Sequence, residues 1–230
     1  MSTSEEPIPA SGRAELGAPV LSATGLGGQR GERLLFDGLD LQVQPGQVIW
    51  LRGRNGRGKT SLLRIMAGLS SPAKGAVLCG GVALNKQSAD WRRRLLYVAH
   101  ASALKEDLTV SECLNFSAAL QGRRHSPEDI HTALSRWGIG GLRQAPVRTL
   151  SQGQRRRTAL ARLALPHPAS IWLLDEPFDA LDNEGVQTLC DLLTQQSRRG
   201  GTVLLTSHQA VPLRDPVPLT LDLDSHAIAS

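Results

Sequence analysis

Along this chain, apolar residues come in short runs of strand length, separated by stretches whose apolar positions recur at helical spacing. Residues 39–43 alternate apolar and polar (Leu39, Leu41, Val43) and meet the turn dipeptide Pro45-Gly46. That pattern predicts a strand with one buried face. Residues 47–51 predict a short buried strand. A glycine-rich loop follows, then a helix over residues 59–69 that Gly68 and Pro72 stop. Residues 75–84 read as a hairpin around Gly80-Gly81.

The middle of the chain is helical. Thr109 and Glu112 have the spacing of a capping box opening residues 110–121, each side chain serving the other's free backbone N–H. Ser126-Pro127 supplies an N-cap and an N1 proline for a helix that ends at Gly138. Ser151 and Gln154 form another capping box, opening a helix that Pro166 terminates. Strands are expected over 95–98, 170–175 and 202–206. In the intervening helix, 183–199, Val186, Leu189, Cys190 and Leu193 recur at i, i+3, i+4, i+7. The alternation predicts an α/β fold, with a helical insert between about residues 88 and 165. There is no internal repeat.

Composition narrows the function. With 230 residues, 40% hydrophobic and 20% charged, the chain can bury a sizeable core as one large domain. No apolar run approaches the roughly 18 residues that a membrane span needs. Residues 1–19 are rich in Ser, Glu, Pro, Gly and Ala and lack an apolar segment, which predicts a disordered tail rather than a signal peptide. Cys79, Cys113 and Cys190 are far apart and outside any CxxC, so a reducing cytosol fits better than a disulfide framework or zinc site. The net charge is +5, but the arginines are scattered and aromatic residues are few. No nucleic-acid partner is expected.

The chemistry lies in three segments. Gly53-Arg54-Asn55-Gly56-Arg57-Gly58-Lys59-Thr60 has the phosphate-binding-loop pattern, set directly after a strand and before a helix. Glycines there let backbone N–H groups turn inward around phosphates, and the helix that begins with Lys59, Thr60 and Ser61 adds its positive end. Lys59 is expected to reach the β- and γ-phosphates of a nucleotide, and the Thr60 hydroxyl to ligate Mg²⁺. The apolar run 171–174 ends in Asp175-Glu176. Asp175 is placed to hold Mg²⁺ through its water shell, and Glu176 to polarise an attacking water as general base. Ser151-Gln152-Gly153-Gln154 presents a hydroxyl and a glycine N–H at a capped helix start, a second phosphate-directed element.

Together these segments resemble the ATP-binding subunit of ABC transporters, over roughly residues 20–210. The resemblance implies a P-loop NTPase fold in one domain, 20–230, with a RecA-like core, an antiparallel β subdomain and a helical subdomain at about 88–165. It also implies a homodimer that hydrolyses ATP with Mg²⁺, Ser151, Gln152, Gly153 and Gln154 of one copy binding the ATP held by the other. Ala180-Leu181-Asp182 looks like the loop whose aspartate touches the second copy, and His208 like the switch histidine at the γ-phosphate. Two positions depart from the pattern. Residues 21–35 lack the aromatic that stacks on adenine, and Arg30 sits nearest that register with a guanidinium able to stack. His100 stands where the family carries a glutamine that reaches the metal and γ-phosphate and faces the membrane partner.

Residues 29–36, 60–64, 97–100 and 154–157, with Ala161-Arg162-Leu163 and Asp175-Glu176-Pro177-Phe178, are most similar to the cytochrome c maturation protein A family. That similarity implies integral membrane partners in a haem-handling complex and a peripheral place on the cytoplasmic face of the inner membrane. No direct haem binding is expected, since the six histidines are scattered and CxxCH is missing. Competing readings are an ABC subunit exporting lipid, drug or lipoprotein, a soluble ABC-type ATPase, and a non-catalytic ATP switch. A P-loop kinase or GTPase is a further one, against which Leu150-Ser151-Gln152-Gly153-Gln154 counts.

Overall fold

A computed structural model describes residues 20–84, 89–101, 103–166 and 170–226; the tail expected at 1–19 lies outside them. The chain opens with two long strands, β1 (Leu21–Arg30) and β2 (Arg33–Val43), paired antiparallel. Next come β3 (Val48–Arg52), α1 (Lys59–Met66), β4 (Lys74–Cys79) and β5 (Val82–Ala83). α2 (Ala89–Arg94) leads into β6 (Leu95–Val98), and α3 (Val110–Ala119), α4 (Pro127–Arg136) and α5 (Gln152–Ala161) follow. β7 (Ile171–Leu174), α6 (Asn183–Arg198), β8 (Thr202–Thr206) and β9 (Leu219–Asp222) complete it.

The strands form two sheets. One is antiparallel, in the order β2-β1-β4-β5. The other is parallel, in the order β6-β7-β8-β3-β9. Strands inside a parallel sheet are covered on both faces and therefore read as unbroken apolar runs, as β7 and β8 do. Alternate side chains divide between two cores. Ile171 and Leu173 pack with β1, β2 and α1, whereas Trp172 and Leu174 pack with α3 to α6. The parallel sheet thus carries the antiparallel sheet on one face and the helical layer on the other.

Several elements differ from expectation. The strand expected at 39–43 is the end of β2, and β1, its partner, carries no clean alternation because Gly25, Gly27 and Gly28 interrupt it. The 75–84 hairpin exists, but β4 also pairs with β1. The first helix stops at Met66, because Gly68 turns left-handed (φ 70°). α5 stops at Ala161, well before Pro166, and its chain continues through i→i+3 bonds, Leu163 N–H to Leu160 O and Ala164 N–H to Ala161 O. β6 falls within the 88–165 range yet lies in the parallel sheet, so the helical layer begins after Val98. Among the described residues no helix is long and apolar enough to cross a membrane.

Candidate functional site

The glycine-rich loop bridges the carboxyl end of β3 and the start of α1. Gly58 caps α1 with φ 99°, a conformation that favours glycine, and a Cβ there would crowd Leu35 Cβ at 3.0 Å. Lys59 is buried, and its Nζ donates to Gly53 O at 2.7 Å and more weakly to Arg54 O at 3.4 Å. The loop therefore wraps its own ammonium. Arg54 and Arg57 turn the other way. Arg54 N–H donates to Asp224 Oδ2 at 3.1 Å, and Arg57 Nε lies 2.9 Å from Asp224 Oδ1.

Strands β7 and β8 end beside this loop. Thr60 Oγ1 donates to Asp175 Oδ2 at 2.9 Å, and Thr206 Oγ1 donates to Asp175 Oδ1 at 2.9 Å. The same Thr206 oxygen accepts the Glu176 N–H at 2.7 Å. Glu176 is buried and has φ 49°, a left-handed conformation that a non-glycine residue adopts only when its surroundings hold it. Its carboxylate accepts the His208 N–H at 3.0 Å and sits 3.4 Å from His208 Nε2. A carboxylate and an imidazole, side by side, can pass and hold a proton.

These groups open onto one cavity of about 540 Å³, which Asn55, Gly56, Gly58, Lys59, Thr60 and Ser61 line together with Asp175, Glu176, His208, His100 and Arg30. His100 turns its Nδ1 toward Asp179, 3.6 Å from Oδ2. Tyr97 also lines the cavity, and burial, aided by the Asp175 charge, pushes its phenol up to about 12. Gly53, Arg54 and Arg57 shape the loop without lining the cavity. Thr60 and Asp175 place two hard oxygen donors in contact, which fits Mg²⁺. Among the described residues no group of three His, Cys, Asp or Glu side chains gathers to hold a metal, so phosphate oxygens and water would fill the remaining positions.

Ser151, Gln152, Gly153 and Gln154 stand elsewhere. Ser151 Oγ accepts the Gln154 N–H at 3.2 Å and Gln154 Oε1 accepts the Ser151 N–H at 3.0 Å, the capping box expected at the start of α5. Gln152, Gly153 and the rest of this segment do not line the cavity. Gly153 instead approaches the Ala180 carbonyl, which a Cβ would meet at 3.4 Å. Asp182 caps α6, accepting the Gly185 N–H at 2.9 Å, and pairs with Arg157, whose hydrogen bond holds the carboxyl below its ordinary value.

Sequence reading missed Thr206, Tyr97, Asp224 and Arg156. Thr206 carried a faint signal, a hydroxyl two residues before His208 at a strand end. Asp224 carried none, because its partners lie about 170 residues away.

The family profile described as ABC transporter matches residues 36–179. The cytochrome c biogenesis ATP-binding export protein CcmA of Methylococcus capsulatus is 46% identical over 194 residues, 84% of this chain and 93% of that protein. Its counterpart in Pseudomonas aeruginosa is 44% identical over 195 residues, covering 85% and 96%. Among solved structures, a dimeric bacterial ABC transporter cassette superposes with a TM-score of 0.77 at 23% identity, covering 88% of this chain and 94% of that one. That last likeness is one of fold.

Proposed function

Because this chain belongs to the ABC transporter ATP-binding family, and within it to the cytochrome c biogenesis ATP-binding export proteins, we propose that it hydrolyses ATP to power haem export or transfer through membrane partners. The observation that carries this reading is the single cavity in which Lys59, the Thr60–Asp175 pair and the Glu176–His208 pair meet.

In this reading Lys59 exchanges the neutral carbonyls of Gly53 and Arg54 for anionic β- and γ-phosphate oxygens, a stronger hydrogen bond. Arg30, exposed at the cavity edge, offers its guanidinium plane to adenine. Thr60 and Asp175 would hold Mg²⁺, which neutralises phosphate charge when bound. Glu176, steadied by His208, accepts a proton from water as the water oxygen attacks the γ-phosphorus. The bond from that phosphorus to the bridging oxygen breaks, and ADP and phosphate leave.

That Ser151 and Gly153 do not line the cavity supports a head-to-tail pair, each copy closing the other's ATP site. ATP favours the closed pair and hydrolysis releases it, giving two states that integral membrane subunits can follow from the cytoplasmic face of the inner membrane. Two tests apply. Lys59→Ala should abolish ATP binding or turnover in a folded protein, and unchanged ATPase activity would sink the assignment. Cells lacking the protein should still make haem but fail to attach it to periplasmic c-type cytochromes; normal haem-stained bands would overturn the cargo.

A further inference from the structure

Arg156 lies on α5, five residues after Ser151, and is 4% exposed. Its Nη1 donates to Ala99 O at 3.1 Å and His100 O at 3.3 Å. Its Nη2 donates to Asp175 O at 3.1 Å and to Glu176 O. These four carbonyls stand just past the ends of β6 and β7, neighbours in the parallel sheet. One guanidinium thus ties the helix that begins at Ser151 to the two loops carrying His100 and Glu176.

The arrangement is costly for a merely structural residue. Its hydrogen bonds go to neutral carbonyls, its buried Nε meets no acceptor among the described residues, and burial pushes the guanidinium below its ordinary value, with Asp179, Asp175 and Glu176 offsetting this through space. What the charge accomplishes is geometric. A planar fork fixes the directions of two backbone turns at once, as no point donor can. One of those turns is the left-handed Glu176, gripped at its N–H by Thr206 and at its carbonyl by Arg156.

We infer that Arg156 is a positioning residue that holds Glu176 and the His100 loop in fixed relation to the helix beginning at Ser151. The inference rests on the ATP-hydrolysis reading above. ATP held against Ser151 by the second copy fixes α5, and Arg156 passes that constraint to the water-polarising carboxylate. Hydrolysis is thereby reserved for the closed pair.

The test uses the purified full chain, with circular dichroism to confirm folding, calorimetric titration of ATP, and steady-state and single-turnover ATPase assays. Arg156→Met should keep ATP affinity within about 3-fold, because Lys59 and Thr60 are untouched, while kcat falls at least about 30-fold. Arg156→Lys, which keeps a charged donor, should recover part of this and lose only about 5-fold. In a Glu176→Gln background, Arg156→Met should change single-turnover hydrolysis less than about 2-fold, since the group it acts through is already gone. Equal losses in both backgrounds, a kcat close to wild type in the folded methionine variant, or ATP affinity falling in step with kcat would each overturn the role. If the methionine variant does not fold, Arg156→Gln is held to the same criteria. A wild-type chain that binds ATP without turning it over defeats the hydrolysis reading itself, a result distinct from any of these.

Discussion

Thr206→Val isolates one hydroxyl at the centre of the site. Thr206 is fully buried, donates to Asp175 Oδ1 at 2.9 Å and accepts the Glu176 N–H at 2.7 Å. Valine has nearly the same shape, so packing is preserved while both bonds disappear. A hydrogen bond to a charged group is worth about 1.5–3 kcal/mol, and a buried N–H left without an acceptor costs about 1–3 kcal/mol. Asp175 keeps Thr60 as a partner, which limits the first loss. The expected destabilisation is about 3 kcal/mol, a drop in Tm of about 6–12 °C for a chain of this length. Thr206→Ser keeps the hydroxyl and loses a methyl, costing about 1 kcal/mol. Urea unfolding followed by tryptophan fluorescence measures both. ATPase assays should show kcat falling at least about 10-fold in the valine variant with KM little changed, because Glu176 loses one of its holds. A valine variant within about 0.5 kcal/mol of the serine variant would refute the reasoning.

Tyr97 is the chain's single tyrosine, so near-ultraviolet absorbance during alkaline titration reports it alone. Its midpoint should lie near 12 in the folded protein and near the ordinary value of about 10 in urea, and a folded midpoint near 10 would contradict its burial. Because the folded value is the higher one, this group's contribution to stability is complete below about pH 10 and is lost as pH rises toward 12. Glu176→Gln should bind MgATP, hydrolyse it much more slowly than wild type and run as a dimer by light scattering, and as a monomer without nucleotide. Adding Ser151→Arg should remove the dimer while each copy still binds ATP; a dimer that persists would exclude the start of α5 from the interface.

Much of the site was legible because its chemistry is local. The capping boxes at Thr109 and Ser151 operate within four residues, and both formed as read. The phosphate loop and the Asp175-Glu176 strand end were recognisable because each combines a turn or strand with the groups it presents, and the structure brings Lys59, Thr60, Asp175, Glu176, His100 and His208 to one cavity. β9 was not read from the sequence, since Leu219 to Asp222 alternate apolar and polar over only four residues, most of them exposed, and the segment becomes a strand by pairing with β3.

The run Gln154-Arg155-Arg156-Arg157 marks the boundary between the two kinds of information. Its spacing determined a capped, basic helix start, because caps and periodicity are properties of one or two turns of chain. It left open which arginine turns inward. Tertiary structure decided that Arg155 meets Glu106, Arg157 meets Asp182, and Arg156 alone of the three is buried, against the loops just past the ends of β6 and β7. The physical reason is that a buried cation must be placed where acceptors converge. Four carbonyls converge only once two strands distant in sequence lie side by side.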